Sequence, residues 1–356
     1  MFRTPKRLSL VAQTVGILRE RILSTNALTC LPSEREMCAQ LGVSRMTLRA
    51  ALARLADEGL IRGGKGRRHF VAHSRPDRNY VASHEVAILS PVPLQAVDPR
   101  VLFWIDELRE ALSKEEYRLE FIHQKSCYAE RPERALRELT SRLRPALWLL
   151  YLSTRAMQQW FSARRLPVVI SGSRYPDVQL PSVDVDYRAT CRHAVSRFIA
   201  KGHRCIALLN PQSVAGGDLE SELGFREAGL TASQGISTIV AHHDGTVPGI
   251  CAALDRLLRA QKPPTAFLVS RPTHALTALG HLVRRGAQFP DQTALIARDH
   301  DSFLEHVVPS VARYQANPVL FARKLSRAVL ETASGGDSRP HEYRIMPNLI
   351  PGETLG

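Results

Sequence analysis

LPSEREMCAQLGVSRMTLRAALARLADEGLIRGGKGRRHFV, residues 31–71, carries the local signals that decide how the chain begins. Ser33 can cap a helix, and Glu36 three residues on can reach back to the same turn, completing a capping box. The short helix then runs to about Leu41, where Gly42 supplies the left-handed backbone that ends it. After Val43, Ser44 caps a further helix whose buried stripe is Leu48, Ala51, Leu52 and Leu55, and Gly59 stops it. Upstream, Val11, Val15, Leu18 and Ile22 fall on one apolar face of a helix spanning Leu10 to Leu23. Two short helices joined at Gly42-Val43-Ser44 make a helix-turn-helix.

The second of these helices opens with Arg45, Met46, Thr47, Leu48 and Arg49. Arg45 and Arg49 stand one turn apart beside the apolar stripe, so both can leave the core and face a groove. Arginine suits guanine O6 and N7 in a bidentate pair, and threonine can donate to a base or a phosphate. Downstream, Leu60-Ile61-Arg62 and His69-Phe70-Val71 flank Gly63-Gly64-Lys65-Gly66-Arg67-Arg68, which reads as a β-hairpin with a glycine-rich basic tip. A nucleotide-binding phosphate loop is excluded: the glycines lack a strand-to-helix context, and no Lys-Ser/Thr ends the run.

Charge points the same way. Residues 1–73 hold 13 Lys/Arg against 5 Asp/Glu, a net of +8, while the remaining 283 residues hold 35 against 29, a net of +6. A small basic head on a nearly neutral body is the electrostatic footprint of a phosphate-contacting module. The 356 residues exceed one ordinary core, so two or three folding units are expected. The composition, 44% hydrophobic and 23% charged, is that of a soluble globular protein. The apolar stretch from Ala146 to Leu152 is far too short to span a bilayer. The basic N-terminus lacks the apolar run of a signal peptide, so the chain is expected in the cytoplasm, away from membranes. Six scattered cysteines without a CxxC pair suggest neither a zinc site nor a disulfide framework.

Residues 73–84, HSRPDRNYVASH, are polar and aperiodic and read as a linker between a head of residues 1–72 and a body of residues 85–356. In the body, short apolar runs alternate with amphipathic segments such as Val101, Ile105, Leu108 and Leu112. The runs are Val86–Ser90, Leu119–His123, Ala146–Leu152, Pro167–Ser171, Cys205–Asn210, Thr238–His242, Thr265–Ser270 and Ala294–Asp299. This alternation predicts an α/β body with parallel sheets covered on both faces, and its length suggests two such sheets. Ligands in such folds sit outside the carboxyl ends of the strands.

The opening run resembles the GntR-type winged-helix head over about residues 8–72. The resemblance implies operator contacts from Arg35, Arg45, Thr47 and Arg49, with Ser44 at the turn and the wing tip Lys65-Gly66-Arg67. The connection from Ser24 to Cys30 is shorter than usual and lacks the customary glycines. The body, through VDVDYRATCRHAVSRFIAKGHRCIALL, the Gly224-Phe225 region and PTAFLVSRPTHALTALGHLVRRGAQFPDQTALIARDHDSF, resembles the effector domain of LacI-type repressors. That implies a two-lobed, periplasmic-binding-protein-like (type I) fold with a hinged cleft and three crossovers between lobes, placed near Asp186, Asp301 and Pro340. The family's arginine three residues before Gly224 is here Ser221, and its Asn-Asp pair is Ser270-Arg271, while its aspartate is kept as Asp299.

Together these features imply a homodimeric regulator that binds double-stranded operator DNA, more as a repressor than an activator, under control of a small-molecule effector. One small head buries too little DNA for tight specificity, hence the dimer. Ser90, Ser171, Arg271 and Asp299, at strand ends, are the expected effector-binding groups. Arg271 favours an anionic effector such as a sugar acid; the alternative is that Arg271 pairs with Asp299 and the cleft binds nothing. Trp104, Trp148 and Trp160 are expected in the core or an interface. His242-His243-Asp244 and Asp299-His300-Asp301 lack metal-ligand spacing, so no metal and no cofactor is implied. No G-x-S-x-G elbow or other catalytic constellation occurs, which leaves a cytoplasmic α/β enzyme as the rival reading.

Overall fold

The computed structural model describes residues 9–24, 31–57, 61–62, 70–71, 84–232, 235–334 and 341–356. The chain divides into two compact units between Val81 and Ala82.

In the first unit, α1 (Leu10–Ser24) and α2 (Glu34–Leu41) pack on α3 (Arg45–Asp57). The caps read from the sequence determine these bounds. Ser33 Oγ accepts from the Glu36 N–H at 3.3 Å, and Glu36 Oε2 accepts from the Ser33 N–H at 3.0 Å. Gly42 then takes φ +64°, and its N–H donates to the Cys38 carbonyl. Ser44 Oγ accepts from the Thr47 N–H at 3.2 Å and opens α3. Val15, Leu18, Met37, Leu48, Leu52 and Leu55 close a small core. A two-residue ladder follows, β1 (Ile61–Arg62) antiparallel to β2 (Phe70–Val71). The expected wing tip, Lys65-Gly66-Arg67, lies outside the described residues.

The second unit alternates strand and helix. It runs β3 (Glu85–Ser90), α4 (Pro99–Lys114), β4 (Arg118–His123), α5 (Glu133–Arg142), β5 (Leu147–Tyr151), α6 (Arg155–Arg164), β6 (Val168–Ser171) and β7 (Ser182–Val185). It continues through α7 (Tyr187–Ala200), β8 (Cys205–Pro211), α8 (Gly216–Thr231), β9 (Ser237–His243), α9 (Val247–Leu258), β10 (Ala266–Val269), α10 (Pro272–Arg284) and β11 (Ala294–Ala297). It closes with β12 (Ala312–Gln315), α11 (Pro318–Ala333), β13 (Glu342–Ile345) and β14 (Asn348–Ile350). Two six-stranded sheets result, in the orders β13-β7-β6-β5-β3-β4 and β14-β12-β11-β10-β8-β9. All pairings are parallel except β12 with β14.

Period-two alternation within buried strands explains why helices cover both faces. Val86 and Ile88 of β3 pack with residues of α4 and α11, whereas Ala87 and Leu89 pack with residues of α5 and α6. In the second sheet, Ile206 and Leu208 meet α7 and α8, while Ala207 and Leu209 meet α9 and α10.

The chain crosses between sheets three times, and two crossings lie away from their expected places. The first is at Asp186, whose carboxylate caps α7 through the Ala189 N–H at 2.8 Å. The second follows β12 at Ala316–Asn317, where Asn317 caps α11 through the Leu320 N–H at 3.0 Å; it is not near Asp301. After β11 the chain makes one tight turn at Ser302–Glu305 and returns to the same sheet as β12. The third crossing is at Met346–Pro347, since β13 still pairs with β7 of the first sheet and β14 with β12 of the second. Residue 340 itself lies outside the described residues.

Helix α8 packs tightly on α7 at Gly224, where an added Cβ would fall inside the van der Waals shell of the Arg188 carbonyl. Gly224→Ala should therefore destabilise the body by about 1–3 kcal/mol in urea denaturation. Gly280→Ala on α10, where a Cβ meets nothing within 4 Å among the described residues, should stabilise it by up to about 1 kcal/mol.

Candidate nucleic-acid interface and ligand cleft

On the head, α3 turns Arg45, Met46 and Arg49 outward. Arg49 Nε donates to Glu34 Oε2 at 3.0 Å, so its guanidinium is held over the first turn of α2. The Ser44 and Thr47 hydroxyls lie 2.9 Å apart and serve the cap of α3. Arg35, on the first turn of α2, is exposed. These five expected contact residues thus lie at the start of the two helices that make the turn.

In the body, a cleft with about 370 Å³ of room opens between the two lobes. Its walls are carboxyl ends of strands: Tyr151, Ser171 and Asp184 from the first sheet, Arg298, Asp299 and Tyr314 from the second. The start of α4 adds Asp98, Arg100 and Trp104, and α11 adds Phe321. Trp104 stands edge-on to Tyr151 at 6.2 Å and tilted against Phe321 at 6.3 Å, giving the cleft an aromatic side. Trp104 is thereby both a core residue and a wall of the cleft, while Trp148 and Trp160 belong to the core alone.

Two of the four residues expected to hold an effector, Ser171 and Asp299, line this cleft. The other two do not. Ser90 is fully buried, donating from Oγ to the Val92 carbonyl at 2.7 Å and accepting from the Val92 N–H at 3.2 Å. Arg271 leans from the start of α10 onto the buried Asp218, Nη2 to Oδ2 at 2.6 Å, and is not a lining residue. Asp299, with which the alternative reading pairs Arg271, is instead taken by Arg298, Nη2 to Oδ2 at 2.7 Å.

Arg298 is the residue that sequence reasoning missed. It follows β11 and is only 1% exposed. Nη1 donates to Ser221 Oγ at 2.8 Å and lies 3.3 Å from Asp218 Oδ1, and the guanidinium sits 4.2 Å from the Tyr187 ring centroid. Small Ser221, where the resemblance expects arginine, leaves the space that this guanidinium fills. Burial works against the charge, but Asp299, Tyr187 and Asp218 outweigh it and raise the arginine's pKa. Among the described residues, the Nε–H is buried without an acceptor. Across the cleft, Arg100 grips Asp98 with two hydrogen bonds of 2.9 Å. Asp98 could have been found from its Asp-Pro-Arg signature at a helix start; Arg298 carried no signal beyond its place at a strand end.

Asp184 is partly buried at the end of β7. Its carboxylate accepts from Ser173 Oγ and from the Val185 N–H at 2.8 Å. Burial pushes its pKa up to about 7, against those two hydrogen bonds and Arg298. His300, on the opposite wall, accepts at Nδ1 from Arg313 Nε at 3.0 Å, and burial lowers its pKa. Among the described residues no three His, Cys, Asp or Glu side chains gather as a metal site would require.

The folds define the two parts of the chain: a winged helix-turn-helix domain and a two-lobed α/β domain with parallel sheets. Residues 10–71 match the family model for bacterial regulatory proteins of the gntR family, and residues 195–355 match that for a periplasmic binding protein-like domain. Among curated relatives, the HTH-type transcriptional regulator CelR of Thermobifida fusca is 29% identical over 181 residues, 50% of this chain and 53% of its own length. AscG of Escherichia coli, another HTH-type transcriptional regulator, is 23% identical over 53% of this chain and 57% of its own length. The chain thus spans about half the length of the curated relatives it matches. Among solved structures, a CelR–cellobiose complex superposes with a TM-score of 0.67 at 21% identity, covering 98% of this chain and 100% of that one. CcpA of Lactococcus lactis superposes with a TM-score of 0.63 at 16% identity over 76% of this chain and 99% of that one. At these identities the superpositions establish the fold.

Asp184 yields a pH prediction. Its folded pKa, about 7, lies above the ordinary carboxylate value of 3.8, so the folded state holds the proton longer than the unfolded chain. Stability from this group is therefore greatest in acid and declines as pH rises from about 4 through 7. Asp184→Asn should gain stability relative to the parent between pH 5 and pH 8, on the order of 1–2 kcal/mol in denaturant titrations at the two pH values. An equal difference at both would show that Asp184 titrates normally.

Proposed function

We propose that the chain is a dimeric, cytoplasmic transcription regulator, acting as a repressor, whose affinity for operator DNA is set by a small molecule held between the lobes of its body. The observation that carries this reading is the joining, in one chain, of a capped recognition helix bearing outward arginines to a hinged two-lobed body with a lined cleft. The matched regulators support it. Among the described residues no helix is long and apolar enough to cross a membrane. The head (residues 1–72), linker (73–84) and body (85–356) act as three parts, with Arg35, Ser44, Arg45, Thr47, Arg49 and the wing tip Lys65-Gly66-Arg67 meeting DNA.

The effector is a neutral, hydroxyl-rich molecule rather than an anion. Arg100 and Arg298 are the arginines of the cleft wall, and each already has a carboxylate partner. Carboxylates that accept from hydroxyls, beside aromatic rings that cover C–H faces, suit a sugar. Cellobiose in the CelR complex is a ligand of this kind.

Fluorescence anisotropy on duplexes enriched from a random pool tests the DNA reading. Arg45→Ala and Arg49→Ala should each lose about 1–3 kcal/mol on the enriched duplex and little on random DNA. Lys65→Ala should weaken both alike and flatten the salt slope by about one. Equal losses on both duplexes for all three variants would reduce α3 to a phosphate clamp. In a thermal-shift screen neutral sugars should stabilise the protein; stabilisation by sugar acids alone would refute the neutral effector.

A further inference from the structure

Met46 is 82% exposed, and it sits on the second residue of the helix that the proposed function turns toward DNA. At 100° per residue it lies about 180° around α3 from Leu55, the middle of the buried stripe. It therefore occupies the centre of the face that α3 turns away from its own core. Among the described residues of the head it joins no apolar cluster. Beside that face stand two arginines: Arg45 is exposed next to it in sequence, and Arg49, one turn on, is held by Glu34 at 3.0 Å. The Ser44 and Thr47 hydroxyls are engaged with each other at 2.9 Å, so the start of the helix presents two guanidinium groups to one side of the thioether.

This arrangement selects its occupant. A strongly basic surface draws a polyanion, and the head carries a net of +8 over residues 1–73. A phosphate oxygen gains nothing from a thioether. On the floor of the major groove the apolar group is the C5-methyl of thymine, and an unbranched, adaptable side chain can follow it. We infer that Met46 reads a thymine, packing its side chain on the C5-methyl beside the contacts made by Arg45 and Arg49. The inference rests on the DNA-binding reading above and adds a base preference that the arginines cannot supply, since they match guanine.

The test uses the full-length chain and a duplex enriched by it from a random-core pool, in which each thymine is replaced singly by deoxyuridine, removing only the methyl group. For the parent protein, at least one replacement should weaken binding about three- to tenfold. Met46→Ala should lose a similar factor on the thymine duplex and be indifferent to that replacement, while Arg45→Ala should remain sensitive to it. The side chain is exposed, so this variant keeps the head's core intact. If Met46→Ala binds as tightly as the parent, or still distinguishes thymine from uracil at every position, the inference is overturned while the DNA reading stands. If no duplex is enriched at all, the DNA reading fails and takes the inference with it.

Discussion

Because the chain passes between its sheets at Asp186, at Ala316–Asn317 and at Met346–Pro347, the carboxyl ends of both sheets are held against one cleft. Two of these passages are followed at once by a capped helix, with Asp186 satisfying the Ala189 N–H and Asn317 the Leu320 N–H. The cap fixes where each helix starts, so bending concentrates in the few residues between a strand end and a cap. Such segments can absorb a change of backbone angle while the sheets on either side stay rigid. The remainder of the body follows from this constraint: strand ends carry the polar groups, and the helices behind them carry the apolar load.

A buried arginine is costly to desolvate unless its partners are well placed. Arg298 has two carboxylates, a serine hydroxyl and an aromatic face around it, and the cluster ties β11 to α8 and to the start of α7. The same Asp218 also holds Arg271, so Arg271 and Arg298 share one buried carboxylate. What the cluster leaves open to the cleft is an acceptor, Asp299, already polarised by a cation. Hydroxyls are good partners for such a group; a second anion is not. The charge arrangement therefore bears on ligand class more directly than the presence of any single arginine near a strand end.

The head was legible because its signals are local. Ser33 and Glu36, Gly42, and Ser44 with Thr47 each act within four residues, and the structure uses each as its spacing requires. The body's alternation was legible wherever strands are apolar throughout. β12 escaped notice because its four residues include Arg313, a buried arginine satisfied by His300 Nδ1 and the Val311 carbonyl, and β7 because Asp184 interrupts it. Missing β12 displaced the second crossover, and missing β13 displaced the third. The cleft was the least legible part. Its groups come together from segments as distant as Asp98 and Asp299, and nothing in the sequence near Arg271 shows that Asp218 claims it.

The cleft draws its charged groups from both lobes, Asp98 and Arg100 on one side and Arg298, Asp299 and His300 on the other. A ligand that touches only one side binds open and closed forms equally and shifts nothing, however tight it is. One that bridges the two sides favours the closed form by the energy of the contacts it makes there alone. Under the proposed function, a closed form with unequal affinity for the operator then makes ligand and DNA mutually dependent, by the same factor in each direction. The two sides are not equivalent in this. Arg298 is fixed by four partners, whereas Arg100 answers to Asp98 at the mouth of a helix, so the first lobe is the side that can adjust its contacts to the ligand.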